Sequence, residues 1–360
     1  MRRSITPRAR STTRSRRSLR RPTAGRPPRD HPHLPLMTGA SKRQSATESP
    51  TSLCVLADPY LHSYQVRALE TAIEEAGVNV ALVIVNDESD PDYDPDREAS
   101  AVNGGLGLDA VSLFWDVLER ERAWTLLIAE KKLAEELGFR PPIPNRVPVE
   151  SVECLADAEL RRVDPLQDGA WYELPEETVS SIAAADVAIR FGFGLIRGDV
   201  LTAPAYGVLS FHPADIRRYR GLGPPKAFLD GQDVMGVTLQ RLTDDIDGGE
   251  IVACRDVDVS DCRTLWECYD RLHDCQADLL ATGIANLRDG AVESTVPEEL
   301  GPYNSITRRR EPAFAGRILL KHPMDCPGTV RSHVWLSICG DRPVPPGFSI
   351  RVFTYVQPPV

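Results

Sequence analysis

Apolar residues recur along this chain with two periods, and the alternation of these periods predicts strands and helices in turn. The run Ser52–Ala57 (SLCVLA) is almost continuously apolar and predicts a buried strand. Residues 64–76 predict an amphipathic helix that Gly77 ends. Its apolar positions recur at helical spacing: Val66, Leu69, Ile73 and Ala76. Residues 78–85 are again apolar and predict a second strand.

The order strand, helix, strand predicts the fold class. It is typical of α/β proteins, and we expect a Rossmann-like, mostly parallel sheet with flanking helices. Residues 186–190 predict a further strand, and helical patterns cover 108–137, 177–185 and 264–287. No G-x-G-x-x-G follows the first strand, so the sequence does not support a dinucleotide site.

Composition divides the chain into three predicted parts. Residues 1–50 are rich in Arg, Ser, Thr and Pro and predict a basic disordered extension. Residues 51–290 form the predicted catalytic domain, and residues 291–360 an irregular C-terminal tail rich in proline toward its end. We interpret Met37 as the true start of the protein, while a transit peptide or a basic nucleic-acid arm remains the alternative for the upstream segment.

The charge of the chain is distributed unevenly. Residues 1–50 contain 13 Lys and Arg against 2 Asp and Glu, whereas the rest of the chain carries 29 against 50, a net charge of −21. That acidity favours a halophile-like surface in a high-salt cytoplasm, with an ordinary acidic enzyme as the alternative. It also disfavours nucleic acid as a partner, because phosphate contacts need a basic face. No run of 18 apolar residues predicts a membrane span, and eight scattered cysteines fit a reducing cytoplasm, so we expect a cytoplasmic protein.

Two clusters have some features of a metal site. Aspartates alternate at Asp90, Asp92, Asp94 and Asp96, but the glycine and glutamate of an EF-hand loop are missing. Cysteines and a histidine lie close together within residues 262–275, but their spacing matches no zinc ligand pattern. We therefore predict no metal.

The residues with recognisable chemistry lie in the middle of the chain. A strand ending in Ser210-Phe211-His212-Pro213 is followed by Tyr219-Arg220-Gly221, Gly236-Val237-Thr238 and the loop Asp247-Gly248-Gly249. The order and spacing of these segments resemble the folate-dependent formyltransferase family, in which a strand ends in Asn-x-His-Pro and an Asp-x-Gly loop follows. Ser210 stands where that family has asparagine.

The resemblance implies that a formyl group passes from 10-formyltetrahydrofolate to a primary amine. By the resemblance His212 stabilises the developing oxyanion and Asp247 accepts the proton of the amine, with Ser210 as a third catalytic residue. The folate would be bound by a strand end and by a loop: Phe191, Gly192, Phe193, Gly194, Asp244 and Asp245. The acceptor would be bound by the segment after the histidine: Arg217, Arg218, Tyr219, Arg220 and Gly221.

The acceptor and the fate of the formyl group are open at this stage. A small amine, such as an amino sugar carried on a nucleotide, fits the guanidinium groups after His212, because guanidinium binds phosphate or carboxylate with paired donors. An initiator tRNA fits an acidic chain poorly. The alternatives are a 10-formyltetrahydrofolate hydrolase, with water in place of the amine, and a non-catalytic binding protein of the same fold.

Overall fold

A seven-stranded sheet forms the centre of the protein in a computed structural model that describes residues 50–87, 118–119, 121–136, 146–289 and 296–322. The strands of the described part are β1 (Ser52–Ala57), β2 (Tyr60–His62), β3 (Asn79–Asn86), β4 (Arg146–Pro148), β5 (Glu159–Val163), β6 (Leu166–Asp168), β7 (Trp171–Glu173), β8 (Val187–Arg190), β9 (Leu195–Ile196), β10 (Val208–His212), β11 (Arg220–Gly221), β12 (Val234–Arg241), β13 (Glu250–Asp258) and β14 (Tyr303–Asn304). The α-helices are α1 (Ser63–Ala76), α2 (Thr125–Glu136), α3 (Glu176–Ile182), α4 (Gly223–Asp230), α5 (Leu265–Asp289) and α6 (Pro312–Lys321).

The order of strands in the central sheet is β13-β12-β10-β8-β1-β3-β5. The five strands from β10 to β5 are parallel to their neighbours, and β12 runs antiparallel to both β10 and β13. A parallel pair needs a crossover connection, and α1 supplies it between β1 and β3. The predicted α/β class with a mostly parallel sheet is confirmed.

Both faces of the sheet are covered, which explains the continuous apolar run of β1. Leu53 and Val55 belong to the larger core cluster, which includes residues of α1 and α5, whereas Cys54 and Leu56 belong to a smaller cluster beneath the opposite face. All four side chains are fully buried. The alternation of side chains along a strand therefore supplies two cores from one apolar sequence.

The predicted segments are present, with boundaries shifted by a few residues. Helix α1 ends at Gly77, which adopts a left-handed conformation with φ of 60° and donates its N–H to the carbonyl of Ile73. The segment of 108–137 that the structure describes contains a 3-10 turn, Arg122–Trp124, and then α2. Helices α3 and α5 correspond to the patterns at 177–185 and 264–287.

Part of the predicted irregular tail is structured. Strand β14 pairs in parallel with β11, and α6 buries Phe314, Ala315 and Ile318 in the larger core cluster. The boundary drawn at residue 291 is therefore wrong for residues 303–321. The reason is that these elements depend on contacts with distant parts of the chain.

Several predictions concern residues outside the described ranges. These are the basic extension up to residue 49 with Met37, the aspartate-rich loop of residues 90–96, and the tail from residue 323. Within the described ranges, no helix is both long enough and apolar enough to cross a membrane. The same residues contain no group of three or more His, Cys, Asp or Glu side chains placed to hold a metal ion.

The chain builds the parallel strands outward from β1 in two directions. Strands β3 and β5 follow on one side, and β8 and β10 on the other. In open α/β sheets, ligands bind outside the carboxyl ends of the strands where the order reverses, which here is the gap between β1 and β8. Asp58 and Arg190 lie at those two strand ends.

A half-buried aromatic stack at the interface of α1 and α5 predicts a pH dependence of stability. The rings of Tyr64 and His273 are parallel, with centroids 4.2 Å apart, and His62 also stacks on Tyr64, with centroids 5.8 Å apart. Burial lowers the pKa of His273 to about 3 and that of His62 to about 4, with nearby positive charges adding to the effect.

The sign of this dependence follows from proton linkage. Below about pH 6.5 the imidazoles of the unfolded state take up protons while those of the folded state stay neutral. The unfolded state therefore binds more protons, and the stability of the fold decreases as the pH is lowered. We expect the free energy of unfolding, measured in urea, to decrease between about pH 6.5 and pH 4. A His273→Phe variant keeps an aromatic ring in the stack and should show a shallower decrease. An unchanged slope in that variant would rule out this origin.

Candidate active site

Three polar side chains share one face of the sheet at the ends of β8 and β10. Arg190 and Ser210 are paired residues of these parallel strands, and His212 lies two positions beyond Ser210. Because residues two apart in a strand point to the same side, all three side chains project from the face that carries Ala188 and Val208 deeper in the sheet. The strand register therefore assembles the site.

His212 is held between two oxygen atoms. Its side chain is buried, Nε2 lies 2.9 Å from the carbonyl oxygen of Tyr219, and Nδ1 lies 3.4 Å from Oδ1 of Asp247. A carbonyl oxygen only accepts, so Nε2 carries a proton in this arrangement. Nδ1 faces the carboxylate of Asp247. Both ring nitrogens of His212 are therefore oriented by the fold.

Asp247 lies in the connection between β12 and β13, in the left-handed region with φ of 48°. Aspartate is one of the few residues that tolerate this conformation. Its Oδ2 accepts the N–H of Gly221 at 2.8 Å. Burial raises the pKa of the carboxyl, but the hydrogen bond and charge of His212, with the Gly221 amide, outweigh it and lower the pKa to about 2. The carboxylate therefore stays ionised near neutral pH.

Gln240 is a site residue that the sequence analysis missed. It is buried on β12 opposite Ser210, its Nε2 lies 3.4 Å from Oδ1 of Asp247, and its Oε1 accepts the N–H of Gly249 at 3.1 Å. One amide thus contacts both Asp247 and Gly249 of this loop. A glutamine inside the otherwise apolar run of β12 was the available signal.

Arg190 is the second residue that the sequence analysis missed. Its Nη2 donates to Oγ of Ser210 at 2.8 Å, and its Nη1 donates to the carbonyl oxygen of Gly194. Burial lowers the pKa of Arg190, while the carboxylates of Asp247 and Asp58 act in the opposite direction. A charged residue directly after the apolar run Val187-Ala188-Ile189 was the signal, because a buried strand seldom ends in an arginine without a partner.

Ser210 is beside His212 as predicted, but it lies deeper than a substrate-binding group. Only 1% of its surface is exposed, and its Oγ accepts a hydrogen bond from the partly exposed Arg190. The serine is therefore covered by the guanidinium group. Its catalytic role stays a prediction.

The predicted folate residues follow β8 at the switch point. Phe193 is fully buried in the smaller core cluster, and Phe191 stacks on Phe211 with centroids 6.2 Å apart, so both rings serve in packing. Gly192 lies against Asp58, where a Cβ would be 2.2 Å from a backbone nitrogen, and Gly194 is exposed. The groups that this loop offers a ligand are those of its backbone. Asp244 and Asp245 are exposed in the loop between β12 and β13.

The predicted acceptor residues are largely engaged within the chain. Arg217 forms a paired contact with Asp215, through Nε at 2.8 Å and Nη2 at 3.0 Å, and Arg218 donates to Gln232. The guanidinium of Arg220 lies 5.9 Å from the ring centre of Tyr303. Tyr219 and Gly221 contact the site through their backbones, as the carbonyl and N–H described above. Binding of an acceptor anion by the arginines stays a prediction.

The arrangement provides both kinds of group that acyl transfer needs. His212 and Arg190 present N–H donors, and Asp247 supplies a fixed negative charge that orients the imidazole. Donors fixed before the reaction stabilise an oxyanion strongly, because they do not reorganise as the charge develops.

Comparison with known proteins gives one consistent family. Residues 172–284 match the family model described as Formyl transferase, and this range includes both His212 and Asp247. The methionyl-tRNA formyltransferase of Fusobacterium nucleatum is 29% identical over 112 residues, which are 31% of this chain and 36% of that protein. These matches confirm the resemblance predicted from the motif around His212.

Solved structures of similar fold include glycinamide ribonucleotide transformylase 1 from Symbiobacterium toebii, with 19% identity, a TM-score of 0.41, and coverage of 70% of this chain and 95% of that one. Another is the N-formyltransferase of Helicobacter canadensis in complex with folinic acid and dTDP-3-aminofucose, with 12% identity, a TM-score of 0.42, and coverage of 72% of each chain. The matched region spans only 33–46% of the curated relatives' own length.

Proposed function

We propose that this chain, whose residues 172–284 belong to the formyl transferase family, transfers a formyl group from 10-formyltetrahydrofolate to a primary amine of a small acceptor. The observation that carries the proposal is the His212–Asp247 pair, held at 3.4 Å beside the switch point of the sheet. The family match covers both residues.

The loop after β8 and the loop between β12 and β13 fit a folate. The first is exposed at Gly194 and has left-handed backbone at Phe193 and Gly194, and the second carries exposed Asp244 and Asp245. A pterin ring has a hydrogen-bonding edge that backbone groups satisfy. When bound, 10-formyltetrahydrofolate supplies the formyl carbon that the amine attacks.

His212 has a defined task in this reaction. As the amine nitrogen bonds to the formyl carbon, the carbonyl oxygen becomes negative, and Nε2 of His212 is placed to donate to it once the Tyr219 carbonyl is exchanged for the substrate oxygen. Asp247 keeps the imidazole oriented through its contact with Nδ1. The reaction needs no net proton, since the amine loses one and the leaving nitrogen of the donor gains one.

The low pKa of Asp247 refines its role. A carboxyl with a pKa of about 2 holds a proton weakly near neutral pH, so it serves as a charge partner and as a brief relay. The relay path runs from the amine, directly or through a water, to Asp247 and on to the leaving nitrogen. Gln240 and the Gly221 amide keep the carboxylate in place for this purpose.

A small acceptor is favoured over tRNA by charge. The chain after residue 50 carries 29 basic against 50 acidic residues, and a tRNA surface needs a basic face. Arg217 has about half of its side chain exposed, at 52%, next to the His212 segment. A single anionic group, such as the phosphate of an amino sugar nucleotide, needs only one or two exposed guanidinium groups such as that of Arg217.

The test is donor consumption with defined acceptors. The full chain is mixed with 10-formyltetrahydrofolate and one amine at a time: an amino sugar nucleotide, glycinamide ribonucleotide, methionyl-tRNA, or none. Release of tetrahydrofolate is followed by absorbance, and formylated amine by mass spectrometry. We expect product only with a small amine. Release of formate at the same rate in every mixture would identify a hydrolase, and an unchanged donor would reject both activities.

A further inference from the structure

Arg190 occupies the place where the family motif around His212 is broken. The family has an amide side chain at position 210, whereas this chain has a serine with a shorter reach. On the neighbouring strand, the residue paired with Ser210 is Arg190, whose Nη2 donates to Ser210 Oγ at 2.8 Å. The guanidinium thus covers the shortened side chain, on the same face as His212.

The guanidinium of Arg190 is only partly engaged by hydrogen bonds within the protein. Two of its five N–H donors are accounted for by Ser210 and Gly194, and the buried Nε has no hydrogen-bond partner in the described part of the chain. No carboxylate of the described residues forms a direct ion pair with it, although the charges of Asp247 and Asp58 act on it. A purely structural arginine at a buried strand end is normally paired.

We propose that Arg190 is a further catalytic residue, which replaces the family's asparagine by presenting its guanidinium to the oxygen of the formyl group. Ser210 then acts as the support that fixes the guanidinium, and not as a donor to the substrate. This inference rests on the proposed formyl transfer. The step gains no new reactant: the amine nitrogen bonds to the formyl carbon, the bond to the donor nitrogen breaks, and one proton passes from the first nitrogen to the second.

The guanidinium suits this task better than the serine it covers. It is charged at all relevant pH values and is partly exposed, whereas Ser210 is 1% exposed. Hydrogen bonds from a charged donor to an oxyanion are stronger than those from a neutral amide. Arg190 and His212 would hold the oxygen from two adjacent strands, as the amide and histidine of one strand do in the family motif.

The test is a double-mutant cycle in the full chain with 10-formyltetrahydrofolate and the best small amine. Arg190→Met removes the charge and keeps most of the volume, and we expect kcat to fall by about 100-fold with the KM for the donor changed by less than about threefold. Ser210→Asn in the Arg190→Met background should raise kcat at least about tenfold above that of Arg190→Met alone. The same change in the wild-type background should not raise kcat, because the arginine already fills the role.

Arg197→Met is the matched control, because it removes a guanidinium that pairs with Glu173 and Asp168 away from the site. It should keep wild-type kcat. If Arg190→Met does not fold, Arg190→Lys keeps the charge, and we expect partial activity with an unchanged donor KM.

Each outcome decides between the two proposals. A wild-type kcat in Arg190→Met or in Arg190→Lys, or equal effects of Ser210→Asn in both backgrounds, overturns the role of Arg190 while formyl transfer by the wild-type chain stands. A wild-type chain that transfers no formyl group removes the proposed function and this inference together.

Discussion

A His212→Ala variant is expected to lose at least about 100-fold in the turnover of formyl transfer, which is the loss typical of removing one oxyanion donor. His212 is the only described side chain with one nitrogen against Asp247 and the other directed toward the segment that follows β10. The measurement is kcat with 10-formyltetrahydrofolate and an amine acceptor. Thermal unfolding of the same sample separates lost chemistry from lost fold.

Asp247→Asn tests the other half of the pair and is expected to lower kcat by a similar factor. Asparagine tolerates the left-handed conformation at this position and can still accept the N–H of Gly221, so the loop should keep its shape. What disappears is the charge beside His212. Asp256→Asn, an exposed carboxylate on β13, is the matched control and should keep full activity. Activity within about threefold of wild type in a folded His212 or Asp247 variant would remove that residue from the mechanism.

Gly221→Ala is expected to have the largest effect on stability. Gly221 has φ of 68°, and a Cβ there would lie 2.0 Å from the carbonyl oxygen of Asn304, a backbone atom of the paired strand β14. Left-handed strain and overpacking together should lower the free energy of unfolding by about 2 to 4 kcal/mol. Activity should fall as well, because the N–H of Gly221 holds Asp247 in place.

The control for this variant is Gly77→Ala. Gly77 also has positive φ, at 60°, but no atom lies within 4 Å of a Cβ placed there. It should therefore show the conformational strain alone, about 1 kcal/mol. Both free energies come from urea unfolding of the full chain. If the free energy of unfolding falls equally in the two variants, the clash with Asn304 contributes nothing to the effect at Gly221.

The sequence predicted four of the five parallel strands, β1, β3, β8 and β10, because their signals are local, and it missed β5. A strand buried on both faces is continuously apolar, as in β1, and the helix after it has a clear period and a glycine stop. Strand β14 and helix α6 were missed. Strand β14 is stabilised by its pairing with β11, and α6 by burial against the larger core cluster. Both contacts are made with distant parts of the chain, so the local sequence pattern does not predict them.

The candidate site divides in the same way. His212 and Asp247 could be predicted because they belong to a motif with a fixed order. Arg190 and Gln240 were missed, because their part in the site depends on which residue of a neighbouring strand each one faces, and sheet register is not visible in a single strand. The acceptor arginines were predicted by type, but the structure pairs Arg217 with Asp215. The types of the site residues could be recognised in the sequence, but the residues that they contact could be identified only from the structure.

The most direct measurement of the central claim follows the formyl carbon itself. The chain is mixed in excess with 10-formyltetrahydrofolate labelled with carbon-13 in the formyl group and with an amino sugar nucleotide, and the products of a single turnover are separated by mass spectrometry. We expect the label to appear on the acceptor nitrogen with the wild-type chain and to be delayed by at least about 100-fold with His212→Ala. Label found only in formate, or in the acceptor at equal rates with both proteins, would contradict this expectation.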